Sequence, residues 1–266
     1  VLVEYASMYI LLFPFNFGAT LYKFHEVWQL LSVTGVWGLT WLIFFVNASL
    51  AEFIYRAREG RVQVVWPVCA SVSTLSLVIL FGAWRFEQVE QQLQSAPTVR
   101  IAQLQSKATM QERMSGSARD TFYEWVNATK LLEPGMVDLV VWPEGASPYH
   151  LNDTKASKLI GELAKDLDVE MIVGGGTRER EADTKMGESK VRTFNSVYFF
   201  GRDGEIKDRY DKMVPLPFGE YLPFAETFPW LADLIEGPGS FRAGKEAVVF
   251  KTSHGNVATP ICYEAI

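Results

Sequence analysis

Residues 137–148 read "VDLVVWPEGASP". The run from Val137 to Trp142 is rich in apolar and β-branched residues, the composition of a strand buried on both faces. Pro143 cannot donate to a sheet ladder, and Glu144 sets a carboxylate directly behind the apolar run. A buried strand with a charged residue where it ends is the pattern of an α/β sheet whose strand ends carry a site.

The flanking sequence repeats the alternation. Upstream, "TVRIAQLQ" (98–105) predicts a strand, and 117–133 an amphipathic helix with Phe122, Trp125, Val126 and Leu132 at helical spacing. Downstream, 154–167 predicts a helix capped near Asp153 or Thr154, and "VEMIVGGG" (169–176) a further strand. "FNSVYFFGRDGEIKDRYDK" (194–212) predicts a hairpin turned at Asp203-Gly204. "AVVFKTSHGNVATPICYE" (247–264) predicts another, turned at His254-Gly255-Asn256. Two strand–helix units followed by hairpins define a mixed α/β sheet covered by helices. Gly174-Gly175-Gly176 lacks both the Lys-Ser/Thr of a phosphate loop and the spacing of a dinucleotide fingerprint, and reads as a tight turn after a strand.

Ahead of this soluble half the chain changes character. Residues 27–51 and 62–84 contain no charged side chain. Each run exceeds the roughly 20 residues that a helix needs to cross about 30 Å of hydrocarbon. Both are apolar all round, whereas a soluble core helix keeps a polar face, so both are expected to span a membrane. Trp28, Trp66 and Trp84 stand near the ends of the runs, as interfacial aromatics do. The uncharged stretch between Tyr5 and Tyr22 is broken by Pro14 and Gly18, and reads either as the end of a third span or as a buried loop. Arg56, Arg58 and Arg61 cluster in the short link between the two runs. Basic short loops face the cytoplasm, which sends everything after Arg85 out of it and, in a bacterium, into the periplasm. The expected organisation is 1–86 membrane helices, 87–97 a polar linker or helix extension, and 98–266 the α/β domain.

The net charge of −6, with no basic stripe, argues against a nucleic-acid partner. The three histidines (25, 150, 254) show no metal-ligand spacing. Of the two cysteines, Cys69 lies inside an apolar run and Cys262 in the polar half, so no disulfide between them is expected. The chain opens at Val1 within an apolar stretch, with no basic region before it, and so reads as cut rather than as led by a signal peptide.

Three polar residues stand at the ends of apolar segments: Glu144 after "LVVWP", Lys212 after the strand in "RYDK", and Cys262 after "ATPI". Alone, a Glu or Lys in such a place is usually a solvated surface group, and a lone thiol a small buried hydrophobe. Together they suit acyl transfer. A thiol with a pKa near 8.5 needs a base, which a partly desolvated carboxylate supplies, and an ammonium stabilises the oxyanion of a tetrahedral intermediate. A thioester then divides one hard transfer into two easier steps.

"VVWPEGASP", "YDKMVPLPFGEYLPF" and "PICYE", in this order and spacing, resemble the three signature segments of the nitrilase (carbon–nitrogen hydrolase) superfamily across residues 98–266. With "FPFN" and "TGVWGLTWLIFFVNASL" ahead of them, they resemble more specifically the apolipoprotein N-acyltransferase family, which fuses membrane helices to a periplasmic nitrilase-like domain. The resemblance implies an α-β-β-α sandwich, here incomplete, with Cys262 as nucleophile, Glu144 as general base and Lys212 stabilising the oxyanion. Glu220, Glu264, Tyr263 and Asn195 match further positions of the family's site. No cofactor or metal is implied. The implied donor is a phospholipid and the implied acceptor the α-amine of an apolipoprotein's diacylglyceryl cysteine, at the bacterial inner membrane. A membrane-anchored amidase or nitrilase would use the same three residues with water as acceptor, and an inactive fragment would use none. The chain departs from the family at Gln105-Ser106-Lys107-Ala108, where many members carry Gln-Gly-Asn-Ile. The family also continues beyond the cysteine, so the end at Ile266 reads as a truncation.

Overall fold

A computed structural model of the chain describes residues 1–5, 16–60, 65–105, 118–152, 154–182, 189–225, 227–228, 230 and 241–265. These form two compact units, Val1–Pro97 and Thr98–Ile266.

In the first unit a 3-10 turn (Phe17–Leu21) and a single helical turn α1 (His25–Trp28) lead into α2 (Leu31–Arg58) and α3 (Trp66–Ser95). The two long helices have 28 and 30 residues, about 42 and 45 Å at 1.5 Å per residue, and are apolar enough to cross a membrane. Only 17 % of the apolar window of each is buried, whereas a helix serving as a soluble core would be mostly covered. Gly35 interrupts α2 at φ 62°, a conformation in which a Cβ is strained. Pro67 sits in the first turn of α3, where its missing N–H costs no helical bond. The polar stretch after Arg85 carries α3 on without a break to Ser95, so its first nine residues (87–95) are helix extension rather than linker. Tyr5 to Tyr22 lies partly outside the described residues, as do Arg61, Asp153 and the departure that begins at Ser106.

The second unit carries a five-stranded sheet in the order β1 (Ile101–Gln103), β2 (Leu139–His150), β3 (Glu170–Ala182), β4 (Ser189–Phe200), β5 (Ile206–Asp211). The first three strands run parallel, joined through α4 (Ala118–Thr129) and α5 (Lys155–Asp166), and the last two are antiparallel additions. The period of two in strand side chains divides the core. Val140, Trp142, Met171, Val173, Tyr198 and Phe200 face one way, onto Phe122, Trp125 and Val126 of α4 and Ile160, Leu163 and Ala164 of α5. Leu139, Ile172, Val197 and Phe199 face the other way, onto Phe250 and Ile261. That second face is covered by a separate hairpin, β6 (Val249–Thr252) and β7 (Gly255–Ala258). Helices, sheet and hairpin are thus stacked in three layers.

Two local expectations shift. Helix α5 is capped by Thr154 through reciprocal bonds with Ser157, which settles the choice of cap among the described residues. The β6–β7 turn is Ser253-His254, starting one residue earlier than expected and two residues long rather than three, with Thr252 paired to Gly255. The reason is tertiary: the Glu170 carboxylate accepts bonds from the Ser253 N–H and hydroxyl, tying this turn to the start of β3.

Candidate active site

Glu144 does not end its strand. Strand β2 pairs regularly with β3 up to Trp142↔Val173, then resumes at Ser147↔Gly175. Pro143, Glu144, Gly145 and Ala146 therefore stand opposite the single residue Gly174, an enlarged bulge that turns the Glu144 side chain out of the ladder. Gly145 supplies the positive φ (63°) that the excursion requires. The glycine run explains itself here. A Cβ on Gly174 would lie 2.3 Å from the Pro143 carbonyl oxygen and 2.9 Å from the Glu144 Cα. The three glycines lie inside β3, not in a turn after it, and leave room for the bulged strand.

The other residues arrive from neighbouring elements. Asn195 belongs to β4, two residues before Val197 and hence on the hairpin side of the sheet. Lys212 follows β5 and extends its ladder, its N–H donating to the Asn195 carbonyl at 2.8 Å. Lys212 is only 1 % exposed. Glu220 comes from the loop beyond, where its carboxylate accepts the Leu216 N–H at 2.7 Å.

The four side chains form one network. Lys212 Nζ lies 2.7 Å from Glu220 Oε2 and 3.9 Å from Glu144 Oε1. Asn195 Nδ2 bridges the two carboxylates, donating to Glu144 Oε1 at 2.8 Å and to Glu220 Oε1 at 2.6 Å. Burial pushes the Glu220 carboxyl up, but the bonds from Lys212, the Leu216 N–H and Asn195 outweigh it and hold the group below its ordinary value. Glu144, with 41 % of its side chain exposed, is the carboxylate that an incoming molecule can reach.

Cys262 lies four residues beyond the end of β7, at the start of a 3-10 turn (Cys262–Ala265), rather than at a strand end. It is exposed and holds a left-handed backbone, φ 55°, uncommon for a residue with a Cβ and a mark of functional sites. Tyr263, beside it, is half-buried. Glu264 anchors this turn. Its Oε2 accepts the Ile261 N–H at 2.9 Å, and its Oε1 accepts the N–H groups of Met213 and Val214 at 2.7 and 2.9 Å. The residues on both sides of Cys262 are thereby tied to the two that follow Lys212. Glu144, Asn195, Lys212 and Glu220 meet directly, then, and Cys262 is held beside the segment that leaves Lys212. A cleft of about 450 Å³ lined by Met213, Val214, Pro215, Tyr221 and Phe241 opens at this segment.

One participant escapes the sequence reading. Tyr210, buried on the hairpin side, donates its hydroxyl to Glu264 at 2.8 Å from both carboxylate oxygens. Burial first, and the Glu264 carboxylate second, push its hydroxyl up to about 12. The signal was available: Tyr210 shares a strand face with Lys212, two residues on.

A chain whose α/β domain brings together a carboxylate pair and a buried lysine, with an exposed cysteine on a turn tied to the same segment, has relatives. Residues 98–266 match the carbon–nitrogen hydrolase family, and the chain belongs to it. It is 29 % identical over 271 residues to an apolipoprotein N-acyltransferase of Geobacter metallireducens, covering 99 % of this chain and 50 % of that one. To that of Bradyrhizobium diazoefficiens it is 30 % identical over 274 residues, covering 96 % and 48 %. The chain thus spans about half the length of these relatives. Among solved structures it is similar to a carbon–nitrogen hydrolase superfamily protein of Xanthomonas campestris (17 % identity, TM-score 0.42, covering 64 % of this chain and 55 % of that one). It is also similar to a carbon–nitrogen hydrolase of Helicobacter pylori (19 %, TM-score 0.40, covering 62 % and 52 %).

Proposed function

We propose that the protein is an N-acyltransferase that moves an acyl chain from a phospholipid, through a thioester on Cys262, to the terminal amine of a lipid-modified apolipoprotein. The observation that carries this reading is the joining of a carbon–nitrogen hydrolase domain to two helices long enough to cross a membrane. A hydrolase of small soluble amides needs no such anchor; an enzyme whose donor and acceptor are both lipids does. The similarity to apolipoprotein N-acyltransferases extends over both parts of the chain and supports the same substrates. The reading places the protein in the bacterial inner membrane, with the α/β domain in the periplasm.

In the first half-reaction Glu144 takes the thiol proton, and Cys262 Sγ attacks the donor ester carbonyl. The oxyanion so formed is stabilised by the Lys212 ammonium, which Glu220 holds in place. Collapse breaks the C–O bond, and the departing lysophospholipid alkoxide recovers the proton from Glu144. In the second, the apolipoprotein amine attacks the thioester carbonyl, Glu144 accepts the amine proton, and the Cys262 thiolate leaves and is reprotonated. Asn195 orients Glu144 throughout.

Mass spectrometry tests this. Phospholipid alone is expected to leave an acyl group on Cys262, and a lipopeptide with a free α-amine to discharge it, while an acetylated lipopeptide does not. Cys262→Ser should form no adduct with its fold intact, because a hydroxyl is far less acidic than a thiol and, among the described residues, none of the site's hydrogen-bond or ion-pair partners is a histidine that could activate it. Discharge by water as fast as by the amine would establish a membrane-anchored hydrolase instead.

A further inference from the structure

We propose that Tyr210 is a positioning residue for Cys262, acting through the carboxylate of Glu264; this rests on the reading of Cys262 as the nucleophile. The left-handed backbone at Cys262 is disfavoured for any residue with a Cβ, so it persists only where its surroundings over-determine it. The bonds that do so converge on one carboxylate. Glu264 receives the Ile261 N–H from one side of the cysteine and the Met213 and Val214 N–H groups from the segment after Lys212. A terminal carboxylate torsion is otherwise broad, and a free carboxylate could satisfy these donors in several orientations. The Tyr210 hydroxyl, equidistant from both oxygens, selects one.

Tyr210 is itself held fast. Its ring is buried in one cluster with Val197, Phe199, Phe250 and Ile261, the residue before Cys262, and its hydroxyl holds Glu264 on the other side of the cysteine. Because the hydroxyl titrates only at about 12, it remains a donor over the whole physiological range. Tyr210 lies on β5 and Lys212 just past its end, two residues on, so the strand that leads to the lysine also registers the cysteine against it.

Tyr210→Phe keeps the ring and removes only the hydroxyl. In the whole protein in detergent, with every cysteine other than Cys262 replaced by serine, the variant is compared with Phe199→Leu, which thins the same core without touching Glu264. Tyr210→Phe is expected to slow alkylation of Cys262 by iodoacetamide about tenfold and to lower kcat for thioester formation from phosphatidylethanolamine by a similar factor. KM should stay within about twofold, and Phe199→Leu should alkylate like the parent. A Tyr210→Phe protein that alkylates at least as fast as its parent overturns the proposal. So does a Phe199→Leu protein slowed to the same extent, since packing alone would then account for the effect. Slowed alkylation together with no thioester from phospholipid in the parent would keep Tyr210 in this role and remove the acyltransferase reading.

Discussion

Lys212 is enclosed by two carboxylates at unequal distances, and the inequality bears on the roles proposed for them. Coulomb attraction falls with distance, so the pair with Glu220 is roughly 1.4 times stronger than that with Glu144. This suits the proposed mechanism, in which Glu220 is the counter-ion that holds Lys212 and Glu144, more distant and more exposed, is the base. Glu220→Gln leaves a buried ammonium with only the distant partner. It is expected to cost about 3 kcal/mol at neutral pH, the low end for breaking a buried pair, because Glu144 remains. The sign of the pH dependence follows from the depressed carboxyl of Glu220. Its contribution is complete above the ordinary value of about 4.3 and is lost as pH falls through the lower folded value. Thermal unfolding followed from neutral to acid pH should show the wild-type and Glu220→Gln curves converging at the acid end. A gap that stays constant would mean that the charge on Glu220 is not what Lys212 requires.

The element on which the site depends is the bulge in β2. Four residues occupy the space of one, and the only backbone on β3 that tolerates them has no side chain at Gly174. Gly174→Ala brings a methyl against main-chain atoms of Pro143 and Glu144, which cannot swing away as a side-chain tip would. The expected cost is that of overpacking, about 1–3 kcal/mol, with Glu144 displaced as the strand shifts. Denaturant unfolding should register the loss of stability. Thioester formation should fall by more than stability alone explains, because the carboxylate moves relative to Lys212. An alanine variant with full activity would show that β3 can yield and that the bulge does not set the position of Glu144.

At the scale of the whole molecule the two units divide the labour proposed here: one provides residence in lipid, the other chemistry. Their topology can be tested independently of activity. Arg56 and Arg58 occupy the last turn of α2, where a basic end favours the cytoplasmic side. In a background carrying Cys69→Ser and Cys262→Ser, a thiol introduced as Glu59→Cys should escape an impermeant maleimide in intact cells. One introduced as Ala96→Cys, just past the end of α3, should react. The reverse labelling would invert the topology and put the α/β domain in the cytoplasm.

Period and composition were enough to determine which segments form long apolar helices and which form strands. Both follow from local facts: an uncharged run has no water to face, and an alternating or continuous apolar run has one or two faces to bury. The motifs likewise singled out Glu144, Lys212 and Cys262, because charged or nucleophilic residues at the ends of apolar runs are locally conspicuous. The tertiary structure decided what local pattern does not encode. Glu144 stands inside a bulge rather than at a strand end, because β3 offers glycine opposite it. The β6–β7 turn starts one residue earlier than expected and is shorter, where Glu170, 83 positions away in sequence, binds it. Tyr210 was marked only by its place two residues before Lys212, since its partner Glu264 is 54 residues distant and becomes its neighbour only when the hairpin closes over the sheet. A residue whose role is to hold another's backbone is defined by contacts across the chain, and those exist only once the chain is folded.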